Sequence, residues 1–205
     1  MKTKELILDV ALNRFSEKGY SAVSIRDICG EVGIKESTIY YHFKNKQAIF
    51  DTLCEDFITT SYAIPEKFSV EMAKVTSVTK DTFIKVCKFS FSNYLMNDKI
   101  NKFLRILILE QNVNPIAAEL YHKILFDEAL IEQKKIFGWL ISIGFLKEVK
   151  AEQLDNLVLD YYAPVIFLFH RYLVSGEITK DIKETVNILL DRHIDNFLQK
   201  YGNEV

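Results

Sequence analysis

Side chains able to bind phosphate or to read base edges are concentrated between residues 35 and 46. The stretch reads KESTIYYHFKNK and is rich in hydroxyl, aromatic and basic residues, few of which a hydrophobic core could use. Hydroxyl and amino groups can donate hydrogen bonds to phosphate oxygens or to acceptors on base edges. This composition favours a surface that contacts nucleic acid.

Two short helices joined by a tight turn would position these side chains. Gly33 can adopt the left-handed conformation that a sharp turn needs. Apolar residues recur at helical spacing on both sides of it. They are Ile25, Ile28, Cys29 and Val32 before the turn and Ile34, Ile39 and Phe43 after it. This layout predicts a helix-turn-helix whose second helix carries outward polar groups.

Composition indicates a globular, all-α protein. The 205 residues are 49% hydrophobic and 26% charged, and only three prolines and seven glycines interrupt them. The net charge of −2 excludes a chain that is basic throughout. Residues 1–50, however, hold eight Lys/Arg against six Asp/Glu. A weakly basic N-terminal part on an acidic remainder fits a local DNA contact surface.

Other sequence features favour a soluble cytoplasmic protein without a cofactor or a metal. The three cysteines are widely spaced and form no CxxC motif, so free, buried thiols in a reducing compartment are expected. The N-terminus does not resemble a signal peptide, and the longest apolar run, residues 163–169, is too short to span a bilayer. The sequence contains no HExxH, GxSxG or glycine-rich phosphate motif.

Periodicity and capping residues predict about nine helices and no strands. Pro65 is expected to end the fourth helix, and residues 64–79 are expected to form a loop or a short helix. This region is the expected boundary of head and body, although a long fourth helix could bridge them. Six of the predicted helices span residues 3–18, 36–43, 80–97, 115–142, 151–175 and 179–200. The other three are expected to begin after the capping residues Ser24, Asn45 and Asp98.

The N-terminal part resembles the DNA-binding domain of the TetR family of transcriptional regulators. The match covers about residues 5–50, and the rest resembles the family only in helix order, including Pro164 inside the penultimate helix. The resemblance implies a three-helix helix-turn-helix head, residues 1–48, and a helical effector-binding and dimerisation body, residues 49–205. The matching residues are Ala11, Phe15, Gly19, Tyr20, Ser24, Arg26, Asp27, Ile28, Gly33, Thr38, Ile39, Tyr40, Phe43, Lys44, Asn45 and Lys46.

The resemblance also assigns DNA-contact roles within the head. Thr38, Tyr40, His42 and Lys46 are similar to the family's contacts with the DNA backbone, and Lys46 lies in the first turn of a helix, which attracts phosphate. Ser24 could bind phosphate or could serve only as a helix cap.

Another group would read bases. Arg26 could pair with guanine, or it could be a solvated charge or the partner of a nearby acid. Lys35, Glu36, Ser37 and Tyr41 occupy positions where family members enter the major groove. Glu36 is unusual there: it could accept from a cytosine amino group or could only complement the helix dipole.

Aromatic residues crowd the body and could line an effector pocket, although a packed core is the alternative for each of them. The pocket candidates are Phe91, Tyr94, Phe103, Leu107, Tyr121, Trp139, Tyr162 and His170.

The sequence does not predict a metal site in the body. His170 has no partner at metal-ligand spacing, and Asp191, His193 and Asp195 should point to different faces of one helix.

These features together predict a homodimeric, ligand-responsive regulator, with repression as the preferred mode. The last two helices are apolar on more than one face, which favours pairing with a second copy, and a dimer would read a pseudo-palindromic operator. A small, largely apolar effector would release the operator by shifting a population between two states. Two alternatives are a constitutive DNA-binding protein with a solid body and a helical enzyme with a vestigial head.

Overall fold

The computed structural model describes residues 2–72 and 77–203, with the side chains of 62–72 left undescribed. The described residues form nine helices and no strand, apart from an isolated antiparallel bridge between Leu146 and Gly202. The all-α prediction is confirmed. The helices are α1 Thr3–Lys18, α2 Ile25–Val32, α3 Glu36–His42, α4 Lys46–Met72, α5 Lys80–Tyr94, α6 Asp98–Glu110, α7 Pro115–His122 continuing through a π-helical segment Lys123–Glu128 into Ala129–Ser142, α8 Ala151–Leu168 continuing into a π-helical segment Phe169–Leu173, and α9 Lys180–Tyr201.

The chain divides into two compact units. The first comprises Met1–Ala63 and Asn97–Tyr121, so it joins the N-terminal helices to α6. The second comprises Ile64–Met96 and His122–Val205. The division at residue 48 remains a prediction based on family resemblance.

Apolar residues at helical spacing build the core of the first unit. Ile7 and Phe15 of α1 and Ile39 of α3 are completely buried. Phe103 of α6 stacks on Phe57 of α4 with ring centroids 4.4 Å apart. Burial of each such side chain contributes about 1.5–3 kcal/mol, so this core holds α3 at a fixed place in the unit.

An aromatic cluster forms the core of the second unit. Phe83 of α5, Phe137 of α7, Tyr161 of α8 and Phe197 of α9 are all buried. The rings of Tyr161 and Phe197 meet edge to face with centroids 5.3 Å apart. This cluster ties the last two helices to each other and to the rest of their unit.

Three details of the helix prediction are wrong. The α4 backbone remains helical to Met72, past Pro65, and residues 73–76 of the predicted loop lie outside the described residues. Asn97, rather than Asp98, caps α6, because its side chain accepts from the amides of Lys99 and Ile100. The predicted helices at 115–142 and 151–175 each contain a π-helical segment, which apolar periodicity does not reveal.

Candidate nucleic-acid interface

Two local devices fix the helix-turn-helix. The Ser24 hydroxyl accepts from the Asp27 amide at 3.2 Å, and the Asp27 carboxylate accepts from the Ser24 amide at 2.7 Å. These contacts form the capping box of α2, and the hydrogen bonds from Ser24 lower the pKa of Asp27. At the turn, Gly33 has φ 76° and its amide donates to the Cys29 carbonyl at 2.9 Å. The cap and the glycine turn therefore set the angle between α2 and α3.

Helix α3 presents one buried side and one solvent-facing side. Ile39 is completely buried, whereas Tyr41 and Tyr40 are 84% and 53% exposed. Lys35, just before the helix, and Ser37 are also exposed. Glu36, Thr38 and His42 are partly exposed. The predicted DNA-contact residues of α3 are therefore all accessible.

Arg26 and Glu36 form an ion pair between α2 and the start of α3. The Arg26 Nε donates to Glu36 Oε1 at 2.8 Å, and the two side chains are 84% and 44% exposed. The hydrogen bond and charge of Glu36 raise the pKa of Arg26. This contact matches the ion pair considered for Arg26 from the sequence, and it gives Glu36 a role not anticipated for it. An exposed pair of this kind can exchange partners readily.

Lys46 lies at the start of α4 and binds the backbone of the preceding loop. Its Nζ donates to the carbonyls of Tyr20 and Val23, both at 2.8 Å, and lies 4.2 Å from the centre of the Tyr20 ring. Burial lowers the pKa of its ammonium group, and the charge of Glu110 opposes that shift. Two of its three N–H groups are thus engaged within the protein, which leaves one for a phosphate.

Glu110, the last residue of α6, was missed by the sequence reasoning. Its side chain is only 3% exposed, and its two carboxylate oxygens accept from the amide of Ser21 at 3.0 Å and the hydroxyl of Ser21 at 2.7 Å. Ser21 belongs to the loop between α1 and α2. A lone acid at the end of the apolar run ILILE is the only hint in the sequence, and nothing there identifies its partner 89 residues away.

The eight predicted pocket residues lie in both units. Phe103, Leu107 and Tyr121 belong to the first unit, and the remaining five belong to the second. A cavity of about 470 Å³ opens in the first unit between α1, α4 and α6. Phe103 lines it, together with apolar side chains such as Leu8 and Leu53 and carboxylates such as Asp9 and Asp56. Of the eight candidates, only Phe103 is among the residues lining this cavity.

The other candidates have varied surroundings. Phe91, Leu107 and Tyr121 are buried, whereas Tyr94 and Trp139 are partly exposed and His170 is exposed. The Tyr162 hydroxyl donates to the Leu125 carbonyl at 2.8 Å. That bond engages the Tyr162 hydroxyl within the protein.

The titratable side chains buried in the second unit are held neutral. Burial raises the pKa of Cys87 to about 12 and raises that of Tyr161, its hydrogen-bond partner, well above its usual value. A His193 ring nitrogen lies 2.8 Å from the Tyr161 carbonyl oxygen, and burial lowers the pKa of the histidine. The shifts of Cys87 and Tyr161 suppress the nucleophilic and acid–base character of these two groups near neutral pH.

Asp191 and Asp195 bind Lys88 and Lys80 respectively, away from His193. Among the residues that the structure describes, no group of three His, Cys, Asp or Glu side chains could hold a metal ion. Over the same residues, no helix is both long enough and apolar enough to cross a membrane.

Comparison with known proteins agrees with this geometry. Bacterial regulatory proteins of the tetR family match residues 7–53, which contain α2, α3 and most of α1. The uncharacterised HTH-type transcriptional regulator YerO of Bacillus subtilis is 25% identical over 96% of this chain and 64% of its own length. The negative transcriptional regulator IcaR of the Staphylococcus aureus biofilm operon icaADBC is 40% identical over 58 residues, 27% of this chain and 31% of its own. The alignments therefore span less than two thirds of either relative.

Solved structures share the fold along the whole chain. A regulator assigned to the TetR family from Mesorhizobium loti superposes with a TM-score of 0.71 at 17% identity, covering 98% of this chain and 97% of the other. SmeT in complex with triclosan gives 0.64 at 20% identity, covering 100% and 93%. The sequence of residues 7–53 therefore matches the tetR family of bacterial regulatory proteins, and the helical architecture of the whole chain resembles that of solved regulators.

Proposed function

We propose that this protein is a sequence-specific DNA-binding transcriptional regulator that acts in the cytoplasm as a repressor. The observation that carries the proposal is the solvent-facing side of α3, where Tyr41 is 84% exposed next to Ser37 and Tyr40 while Ile39 anchors the helix in the core. A helix held in this way can enter the major groove with its polar side toward the bases. Repression is favoured because IcaR, which resembles the head, is a negative regulator.

The proposed DNA contacts follow from position and exposure. Thr38, Tyr40, His42 and Lys46 bind phosphates, and Arg26, Ser37 and Tyr41 face bases. Lys35, just before α3, enters the major groove, and Ser24 lies at the N-terminal end of α2, where a phosphate is attracted by free amides. The Ser24 hydroxyl already belongs to the capping box, which makes phosphate binding a secondary role for it. Glu36 affects DNA binding through its ion pair with Arg26.

We propose a homodimer formed through α8 and α9. Leu159 and Phe167 of α8 are 48% and 63% exposed, and their spacing of eight residues keeps both within one broad face of the helix. Ile188 of α9 is 55% exposed. A second copy covering these side chains would remove apolar surface from water and would present two heads to a pseudo-palindromic operator.

A small, largely apolar effector is proposed to release the operator. The cavity lined by Phe103 supports this proposal because its apolar walls belong to α1 of the head and to α4 and α6 of the same unit. The structure of SmeT with triclosan provides an example of the same fold with a small aromatic compound.

Selection from a library of random DNA duplexes tests the proposed function. We expect enrichment of one motif with two related half-sites, bound at least a hundredfold more tightly than random DNA at physiological salt. Failure to enrich any motif would reject sequence-specific binding.

A panel of apolar compounds tests effector release. A compound that weakens operator binding should lose its effect in Thr60→Trp, which narrows the cavity, but not in Ile58→Trp, an α4 substitution off the cavity lining. If no compound changes operator affinity, effector release is rejected. If both variants respond equally, the cavity is not the effector site.

A further inference from the structure

A long-range contact in the first unit joins the end of α6 to the loop that precedes α2. Glu110 accepts from the Ser21 amide at 3.0 Å and from the Ser21 hydroxyl at 2.7 Å, and it is 3% exposed. Hydrogen bonds to a buried, ionised acceptor are stronger than neutral ones. Without them the buried carboxylate would lose both of these hydrogen-bond donors, so the loop and the acid hold each other in place.

The backbone of the loop is shaped to admit this carboxylate. Gly19 has φ 85° and ψ 152°, a conformation essentially restricted to glycine. A Cβ atom at this position would lie 2.7 Å from Glu110 Oε1. The missing side chain therefore leaves space for the acid as well as permitting the turn.

Lys46 holds the same loop from α4. Its Nζ binds the carbonyls of Tyr20 and Val23, while Glu110 binds the intervening residue Ser21. Ser24, which follows Val23 in the chain, caps α2. The start of α2 is thus fixed from two helices, by an acid on α6 and a base on α4.

We infer that Glu110 is a positioning residue through which α6 holds the α1–α2 loop, and with it α2, in the DNA-binding arrangement. Ile100 and Phe103 of α6 line the cavity, whereas Glu110 ends the same helix at the loop. A displacement of α6 at the cavity would therefore reach the head through Ser21. This inference rests on the proposed function, to which it adds a route of regulation.

Amide hydrogen exchange of the DNA-free protein tests the contact itself. In Glu110→Ala we expect exchange of the Ser21 amide to rise at least about tenfold, because its acceptor is lost. The control Glu119→Ala removes an equal charge from an exposed site of α7 in the same unit and should leave that exchange unchanged. Unchanged exchange at Ser21 in Glu110→Ala would overturn the inference.

Affinity for the selected operator tests the functional consequence. Relative to Glu119→Ala, Glu110→Ala should bind roughly tenfold more weakly, whereas Glu110→Gln, which can still accept from the Ser21 amide and can donate to its hydroxyl, should stay within about threefold of wild type. General destabilisation would lower the melting temperature without this rescue of affinity. Equal operator affinities of Glu110→Ala and Glu119→Ala would overturn the inference.

Ser21→Ala keeps the test decisive if Glu110→Ala does not fold. Ser21 is exposed, so its substitution leaves no cavity, and loss of the hydroxyl donor should weaken operator binding about threefold. The double variant should bind no more weakly than Glu110→Ala when the latter folds. Wild-type affinity in Ser21→Ala would count against the inference. If the wild-type protein binds no operator, the proposed function is rejected instead. The amide-exchange measurement then tests the contact between Glu110 and Ser21 independently.

Discussion

At the scale of single residues, the pairing of Arg26 with Glu36 alters how the recognition surface is understood. The sequence left Glu36 between a cytosine contact and a helix-dipole role. Its carboxylate instead accepts from Arg26 Nε at 2.8 Å. The pair lowers the repulsion that a lone acid would exert on DNA and holds the guanidinium in front of α3. To pair with a guanine, the Arg26 guanidinium must therefore either donate to the base and to Glu36 together or break its hydrogen bond to Glu36.

Replacing Arg26 with alanine should therefore reduce specificity. We expect a loss of about 1–3 kcal/mol on the operator and a smaller loss on random DNA, because a base contact disappears and Glu36 becomes unpaired. Fluorescence anisotropy with both duplexes measures this difference. Lys85→Ala, an equal change of charge on α5, should have little effect on either duplex. Equal losses of Arg26→Ala on both duplexes would make Arg26 a phosphate contact or a structural residue.

Lys46 combines a structural and a DNA-binding role, and the two can be separated. Lys46→Met keeps the aliphatic stem but removes both hydrogen bonds to the loop carbonyls, which should lower the free energy of unfolding by about 1–2 kcal/mol. Loss of a phosphate contact should weaken binding to all sequences and reduce the slope of log affinity against log salt by about one unit or less. Denaturant unfolding and a salt titration measure the two effects. An unchanged slope would leave Lys46 with the structural role alone.

At the scale of elements, local signals predicted the head better than the long helices. The Ser24 cap, the Asn45 cap and the Gly33 turn all form as predicted, because each depends on residues only a few positions apart. The Asn45 side chain, for example, accepts from the Ala48 amide at 2.8 Å. The end of α4 was mispredicted at Pro65, since the penalty of a proline inside a helix can be outweighed by its surroundings. Sequence periodicity also gave no sign of the π-helical segments.

Two glycines of the helix-turn-helix offer a matched test of the turn. Gly33→Ala should destabilise the protein by about 1–2 kcal/mol, because its φ of 76° is unfavourable for an L-residue although no atom would obstruct the new Cβ. Gly30→Ala, an exposed position inside α2 with equally open surroundings, should stabilise it by about 0.5–1 kcal/mol. Thermal or denaturant unfolding measures both. Effects of the same sign would contradict the left-handed turn.

At the scale of the whole molecule, the sequence predicted the fold class but not the contacts between distant segments. The union of the N-terminal helices with Asn97–Tyr121 in one compact unit depends on pairs such as Ser21 and Glu110, which no local pattern can reveal. The predicted pocket set stays a prediction for the same reason. Aromatic content alone does not separate Phe103, beside a cavity, from Tyr162, whose hydroxyl binds a carbonyl.

Assembly can be tested with two phenylalanines of nearly equal exposure. Phe167 on α8 is 63% exposed and Phe89 on α5 is 64% exposed. Phe167→Glu should weaken the proposed dimer at least about tenfold, because it places a charge in an apolar interface, and Phe89→Glu should leave it intact. Sedimentation equilibrium measures both dissociation constants. A monomeric wild type, or equal effects of the two substitutions, would contradict a dimer through the last two helices.

The central claim is that the exposed side of α3 reads DNA sequence. The most direct measurement is the ratio of operator affinity to random-DNA affinity in the variant Ser37→Ala/Tyr41→Ala, compared with wild type. Both side chains are exposed, so the variant should fold normally. Loss of base contacts should reduce the ratio at least about tenfold while random-DNA binding stays near its original strength. An unchanged ratio would contradict the claim.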